Sequence, residues 1–136
     1  MGFLYNVNMT QIESIKIWID GAKDAMDTCS KLYNSKKYHH SLFFLHLSLE
    51  KMLKALFISL KDSSPPYIHD LKQLVELSGI TVRDEEKDQL DEISEFNVAG
   101  RYEDYKYEIY KRATKEYTDK WIEIGKKLFN MFFEKV

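Results

Sequence analysis

The sequence predicts an all-α protein, an antiparallel up-and-down bundle of four to five helices, on three observations. Apolar residues recur at three- and four-residue spacing through most of the chain. Five glycines and two prolines are too few for the tight turns of a sheet protein. A charged share of 31% beside 44% hydrophobic residues suits helices with one solvated and one buried face. At 136 residues the chain suits one domain, 1–136, able to bury a core without metal or disulfide support.

The first helix is predicted to start at Thr10-Gln-Ile-Glu13, a capping box in which a hydroxyl and a carboxylate three residues apart satisfy free helix amides. Ile12, Ile15, Trp18, Ile19, Ala22, Met26, Cys29 and Tyr33 then share a face until about Asn34. Asn34-Ser35 is a turn short enough to fold the next helix back antiparallel.

That second helix, residues 38–60, is the longest apolar pattern in the chain. Leu42, Leu45, Leu49, Leu53, Leu56 and Leu60 fall on one arc, flanked by Phe43 and Phe57. His46 and Glu50 stack at i,i+4 inside this face or at its margin, so they need polar partners and read as a structural polar network. Ser41, Ser48 and Ser59 fall on the outer side, and Lys51 and Lys54 read as solvated or snorkelling charges.

Residues 61–66, with two prolines, end the helix. A short helix follows at about 70–78, with His69 at its entrance and Gly79 as its left-handed cap. Thr81 to Asp84 weakly signals an acidic helix with Leu90, Ile93 and Phe96 inward. Residues 97–100 interrupt that pattern, and 101–108 read as a structured loop, too polar and too aromatic for a helix. The last helix, about 110–134, carries Ala113, Tyr117, Trp121, Ile124, Leu128 and Met131 on one face. Its second stripe, Ile122, Phe129 and Phe133, predicts packing on two sides, against another helix or against the partner in a homodimer.

The formal charge of −2 gives no bulk attraction for phosphate backbones. A single cysteine, Cys29, excludes an internal disulfide and a cysteine-only metal site, and its place on an apolar face marks it as a small buried hydrophobe. No phosphate-binding glycine loop, HExxH, paired CxxC or GxSxG is present. His39 and His46 lie two turns apart, too far to chelate one ion, and His46 with Glu50 offers only two adjacent ligands, so neither metal nor cofactor is expected. Residues 1–8 lack a leader-like pattern and no apolar run approaches membrane-spanning length, which predicts a soluble, cytoplasmic chain with no membrane partner. Tyr102, Tyr105, Tyr107 and Tyr110 interleave with Arg101, Lys106, Lys111 and Arg112, chemistry able to stack a base and hold a phosphate. Glu103, Asp104 and Glu108 dilute that charge, and a loop anchored by its aromatics explains the pattern equally well.

Three segments together resemble the HEPN family of small helical nucleotide-associated domains: LHLSLEKMLKALF (45–57), PPYIHDLKQLVEL (65–77) and NVAGRYEDY (97–105), the last leading into a helix with Trp121. The resemblance rests on Glu50-Lys51 with Lys54-Ala55-Leu56, on His69-Asp70-Leu71 and on Arg101-Tyr102, in that order. It implies a usually dimeric bundle that works with nucleotides or RNA, in prokaryotes often beside a minimal nucleotidyltransferase and in many cases as the toxin of a toxin–antitoxin pair. Ribonuclease members carry an arginine with four to six residues between it and a histidine at the start of the last helix. Here the positions after Arg101 hold Lys106, Tyr107 and Glu108, and neither Arg83 nor Arg112 has a histidine at that spacing. Without that imidazole the proton-transfer group is missing. The expectation is a nucleotide- or partner-binding module using Arg101, Tyr102, Lys54 and His69, with Arg101 or Tyr102 also satisfying Glu50. The alternative is a ribonuclease with a relocated site built from Arg101 and either His46 or His69, and a third possibility is a pure interaction protein.

Overall fold

The structure, a computed structural model, describes residues 9–136, so the leader-free reading of residues 1–8 falls outside it. Six helices are present among the described residues: α1 Gln11–Asn34, α2 Tyr38–Lys61, α3 Leu71–Ser78, α4 Asp84–Ser94, α5 Glu103–Arg112 and α6 Lys115–Lys135. None is long and apolar enough to cross a membrane.

Both halves of the capping box at Thr10 form: the Glu13 amide donates to Thr10 Oγ1 and the Thr10 amide to Glu13 Oε1, each at 3.1 Å. The other end of α1 closes with a pair of crossed bonds, Lys37 N–H to Leu32 O at 2.8 Å and Lys36 N–H to Tyr33 O at 2.9 Å. This is a Schellman closure, and its left-handed position, φ 62, is occupied by Lys36 rather than glycine. The reversal lays α1 and α2 antiparallel, Gln11 Nε2 reaching Ile58 O at 3.0 Å at one end and Ser41 Oγ–H reaching Cys29 O at 2.8 Å at the other.

Helix α2 is the axle of the bundle and touches all five other helices. Leu42, Leu45, Leu49, Leu53 and Leu56 are fully buried, as their arc predicts, whereas Leu60, at the end of α2, is 47% exposed. The outer side assigned to Ser41 and Ser48 does not exist, because α1 covers it. Both serines are buried, Ser41 between Cys29 O and the Cys29 thiol, Ser48 bonded to Leu45 O. Lys54 is likewise buried rather than solvated. On α1 the apolar face begins later than its periodicity indicates: Ile12 is exposed, while Ser14, Ala22, Ala25 and Cys29 are buried.

Helix α3 follows its signals, whereas α4 begins where the acidic pattern does but is not capped by Thr81. Asp70 caps α3 by accepting from the Gln73 amide at 2.9 Å, and Gly79 ends it at φ 81. The cap of α4 is Arg83, whose amide donates to Glu86 Oε1 at 2.8 Å.

The stretch predicted as a loop is a helix. In α5, Ile109 is buried and Tyr105, one turn earlier, donates its hydroxyl to Glu95 O at 2.7 Å, so a stripe of two residues suffices to dock it. Glu103 and Asp104 at its start and Lys111 and Arg112 at its end match the helix dipole. Thr114 then caps a separate α6, whose Tyr117 amide donates to Thr114 Oγ1 at 3.2 Å, so the last helix starts at Lys115.

The second stripe of α6 is filled mostly within the chain. Ile122 and Phe129 belong to the core, each 8% exposed, and only Phe133 stays open, under Lys23 Nζ at 4.7 Å from its ring. Helix α6 approaches α2 closely at Gly125, where an added Cβ would lie 2.5 Å from Leu45 Cδ1. Leu45 is fully buried and has nowhere to retreat. Gly125→Ala is therefore expected to destabilise by about 1–2 kcal/mol despite alanine's better helix propensity, read as a lower denaturant midpoint at unchanged slope.

Candidate functional site

Spacing of four residues puts His46, Glu50 and Lys54 on one stripe of α2. The Glu50 carboxylate, 6% exposed, sits at the centre. Lys54 Nζ lies 2.9 Å from its Oε2, and His69 Nδ1 lies 3.1 Å from both oxygens. A carboxylate only accepts, so His69 carries a proton on Nδ1. Lys54 is further enclosed by the Trp18 and Tyr67 rings, at 5.5 and 5.7 Å.

His46 Nε2 stands 3.8 Å from Glu50, beyond hydrogen-bond range, and donates instead to the backbone carbonyl of His69 at 2.8 Å. That carbonyl fixes the Nε2–H tautomer and leaves Nδ1 buried without a hydrogen-bond partner among the described residues. Burial holds the His46 pKa below its usual value, outweighing the bond to the His69 carbonyl and the nearby Glu50 charge. His46 is therefore neutral at pH 7.

Arg101 and Tyr102 do not satisfy Glu50, contrary to the expectation from sequence. Because residues 103–112 are helical rather than draped over α2, both stay at the exposed start of α5. The Arg101 guanidinium lies 4.4 Å above the Tyr105 ring, and Tyr102 is 87% exposed.

The structure does bring Arg101 and His69 together. They line one cleft of about 470 Å3, with Asp70, Asp91, Glu95 and Tyr105. Its carboxylates are largely occupied: Asp91 pairs with Lys72 at 3.0 Å, Glu95 with Arg112 at 2.7 Å, and Asp70 caps α3. Arg101 has no carboxylate within ion-pair distance among the described residues, so its charge stays available. Of the other candidates, Tyr102 does not line this cleft, while Lys54 and His46 are buried in the interior and reach it only through Glu50 and His69.

A second cleft of about 460 Å3 gathers His39, His40 and Phe43 of α2 with Tyr107 and Tyr110 of α5. The interleaved aromatics and bases of residues 101–112 signalled half of it. The α2 half was invisible because only folding sets it against α5, the His39 and Tyr110 rings meeting edge-on at 5.0 Å. No group of three or more histidines, cysteines or carboxylates suited to a metal occurs among the described residues.

The His46 environment has a pH consequence. With the folded pKa depressed from 6.5, the unfolded chain takes up a proton before the folded one does, so stability present above pH 6.5 is lost as pH falls through the depressed value. His46→Gln keeps a donor for the His69 carbonyl but does not titrate. Chemical denaturation between about pH 7 and about pH 5 is expected to show a smaller loss of stability in His46→Gln than in the parent.

A family profile described as the HEPN domain matches residues 15–136. No characterised protein and no solved structure matches the chain significantly. With nearly the whole chain matched and an architecture of helices alone among the described residues, the protein belongs to the HEPN domain family.

Proposed function

We propose that the chain, acting as one HEPN domain over residues 1–136, is a nucleotide- or partner-binding module centred on the cleft that Arg101 and His69 line. The observation that carries this reading is the state of Arg101. Its guanidinium is held in place by stacking on Tyr105 and has no carboxylate partner among the described residues, so its edge N–H groups are free for a phosphate or carboxylate. Exposed Tyr102 beside it supplies a stacking surface, Lys54 acts from behind through Glu50, and His69 lines the same cleft. In this reading the module works as a homodimer beside a minimal nucleotidyltransferase in a toxin–antitoxin-like pair, as the family resemblance implies. Phe133 is the member of the second α6 stripe left to contribute to a subunit contact.

One observation favours ribonuclease activity as the second reading. The Glu50 carboxylate holds His69 Nδ1–H, an arrangement that orients an imidazole and leaves its other nitrogen for proton transfer. His69 would then replace the histidine missing after Arg101, whereas His46, buried and neutral, would only position the His69 backbone.

Titration with AMP and a short RNA, followed by backbone resonances and melting temperature, separates the readings. Binding is expected to shift Arg101, Tyr102 and His69 and to weaken about tenfold in Arg101→Ala, without RNA cleavage. Cleavage abolished by both Arg101→Ala and His69→Ala establishes the second reading, and no response to either ligand removes the nucleotide reading.

A further inference from the structure

The turn between α1 and α2 carries charge that the Arg101 cleft does not use. Lys36 and Lys37 are both exposed, and neither has a carboxylate partner among the described residues. Lys36 moreover holds φ 62, a left-handed conformation that favours glycine. A positive charge therefore stands at the position of the turn where a side chain is least welcome.

Two joined depressions open beside it. The first, about 460 Å3, is walled by Phe43, Val98, Ala99 and Ile109 and flanked by Tyr107 and Tyr110. The second, about 400 Å3, is bordered by Lys36, Lys37 and Lys111 and shares His39, His40 and Tyr110 with the first. At the rim Lys106 is offset by Glu103 at 3.6 Å and Lys111 by Glu108 at 3.0 Å, which leaves the turn lysines as the uncompensated charge. The His39 pKa is lowered, first by burial and then by His40 and Lys37, consistent with a locally positive field in a molecule of net charge −2. Neither depression shares a lining residue with the cleft of Arg101 and His69.

We propose that this double cleft docks an acidic peptide segment of a partner protein, with one bulky apolar side chain in the depression walled by Phe43 and Ile109 and the flanking carboxylates on Lys36 and Lys37. Wall chemistry favours a peptide over a nucleotide. The lining is apolar at Phe43, Val98, Ala99 and Ile109, and its Lys106 already pairs with Glu103, so a nucleobase, polar along its edges, finds few partners beyond His39 and His40, whereas an aliphatic or aromatic side chain has nothing to leave unpaired. The charges supply steering and register, and the apolar anchor supplies most of the affinity.

The probes are a synthetic peptide of about eight residues, Asp and Glu with one central Phe, the same peptide with that Phe replaced by Ala, and AMP. With the full chain, the Phe peptide is expected to shift the resonances of Lys37, Tyr107 and Tyr110 and to bind at least about tenfold more tightly than the Ala peptide. Lys36→Gly is expected to raise the melting temperature by about 3–5 °C while weakening the Phe peptide about threefold, a combination that misfolding does not produce. Equal binding of both peptides, AMP shifting these residues while the peptide does not, or no shift with any probe overturns the proposal. Arg101→Ala leaves this cleft intact, so its effect on AMP and that of Lys36→Gly on the peptide test the two sites separately.

Discussion

Burial of the Glu50 charge is the constraint on which the rest of the structure depends. A carboxylate inside a bundle loses several kcal/mol of hydration and is tolerated only when neighbours replace that hydration. Lys54 supplies one neighbour from the same helix, which requires no particular tertiary arrangement. His69 supplies the other, and it reaches Glu50 only if the segment before α3 lies across α2. His46 reinforces this by holding the backbone carbonyl of the same residue. Residue 69 is thus fixed by both its side chain and its main chain, and with it the start of α3, where the Leu71 amide meets Ser94 Oγ of α4 at 2.9 Å.

From α4 the order passes onward through polar contacts at the edge of the core. Tyr105 of α5 bonds the Glu95 carbonyl, Arg112 bridges Glu92 and Glu95, and the Tyr117 hydroxyl of α6 also bonds Glu92. These contacts set α5 against α4, which places Arg101 in the same cleft as His69. The buried carboxylate and the exposed guanidinium never touch. They are linked because the same short helices that satisfy Glu50 also carry the platform on which Arg101 stacks.

The segment 97–100 separates the two clefts. Asn97 lines the one that holds Arg101 and His69, while Val98 and Ala99 line the one beside the turn lysines. Chemical character changes across it: charged and hydrogen-bonding groups on one side, apolar walls with a basic rim on the other. A HEPN domain of this size therefore presents two surfaces of different chemistry on a single bundle.

Much of the fold was legible because its signals are local. Thr10 with Glu13, Gly79 and the two prolines at 65 and 66 mark element ends through bonds or dihedrals confined to a few residues. Leucines at helical spacing name the most buried face of α2, and the need of His46 and Glu50 for partners followed from their place on that face. Periodicity compares the faces of one helix with each other but does not say how many neighbours surround it. For that reason Ser41, Ser48 and Lys54 looked solvated and are buried, and periodicity left open whether Ile122 and Phe129 pack on a helix of the same bundle or on a second subunit, whereas both lie in the core. Helix α5 was missed because two docking contacts, from Tyr105 and Ile109, outweigh its polar composition. The sequence alone determined the helical class, the family resemblance and the presence of a buried charge. Only the tertiary structure decided that His69, rather than Arg101, answers that charge, because the choice rests on which distant segment reaches α2.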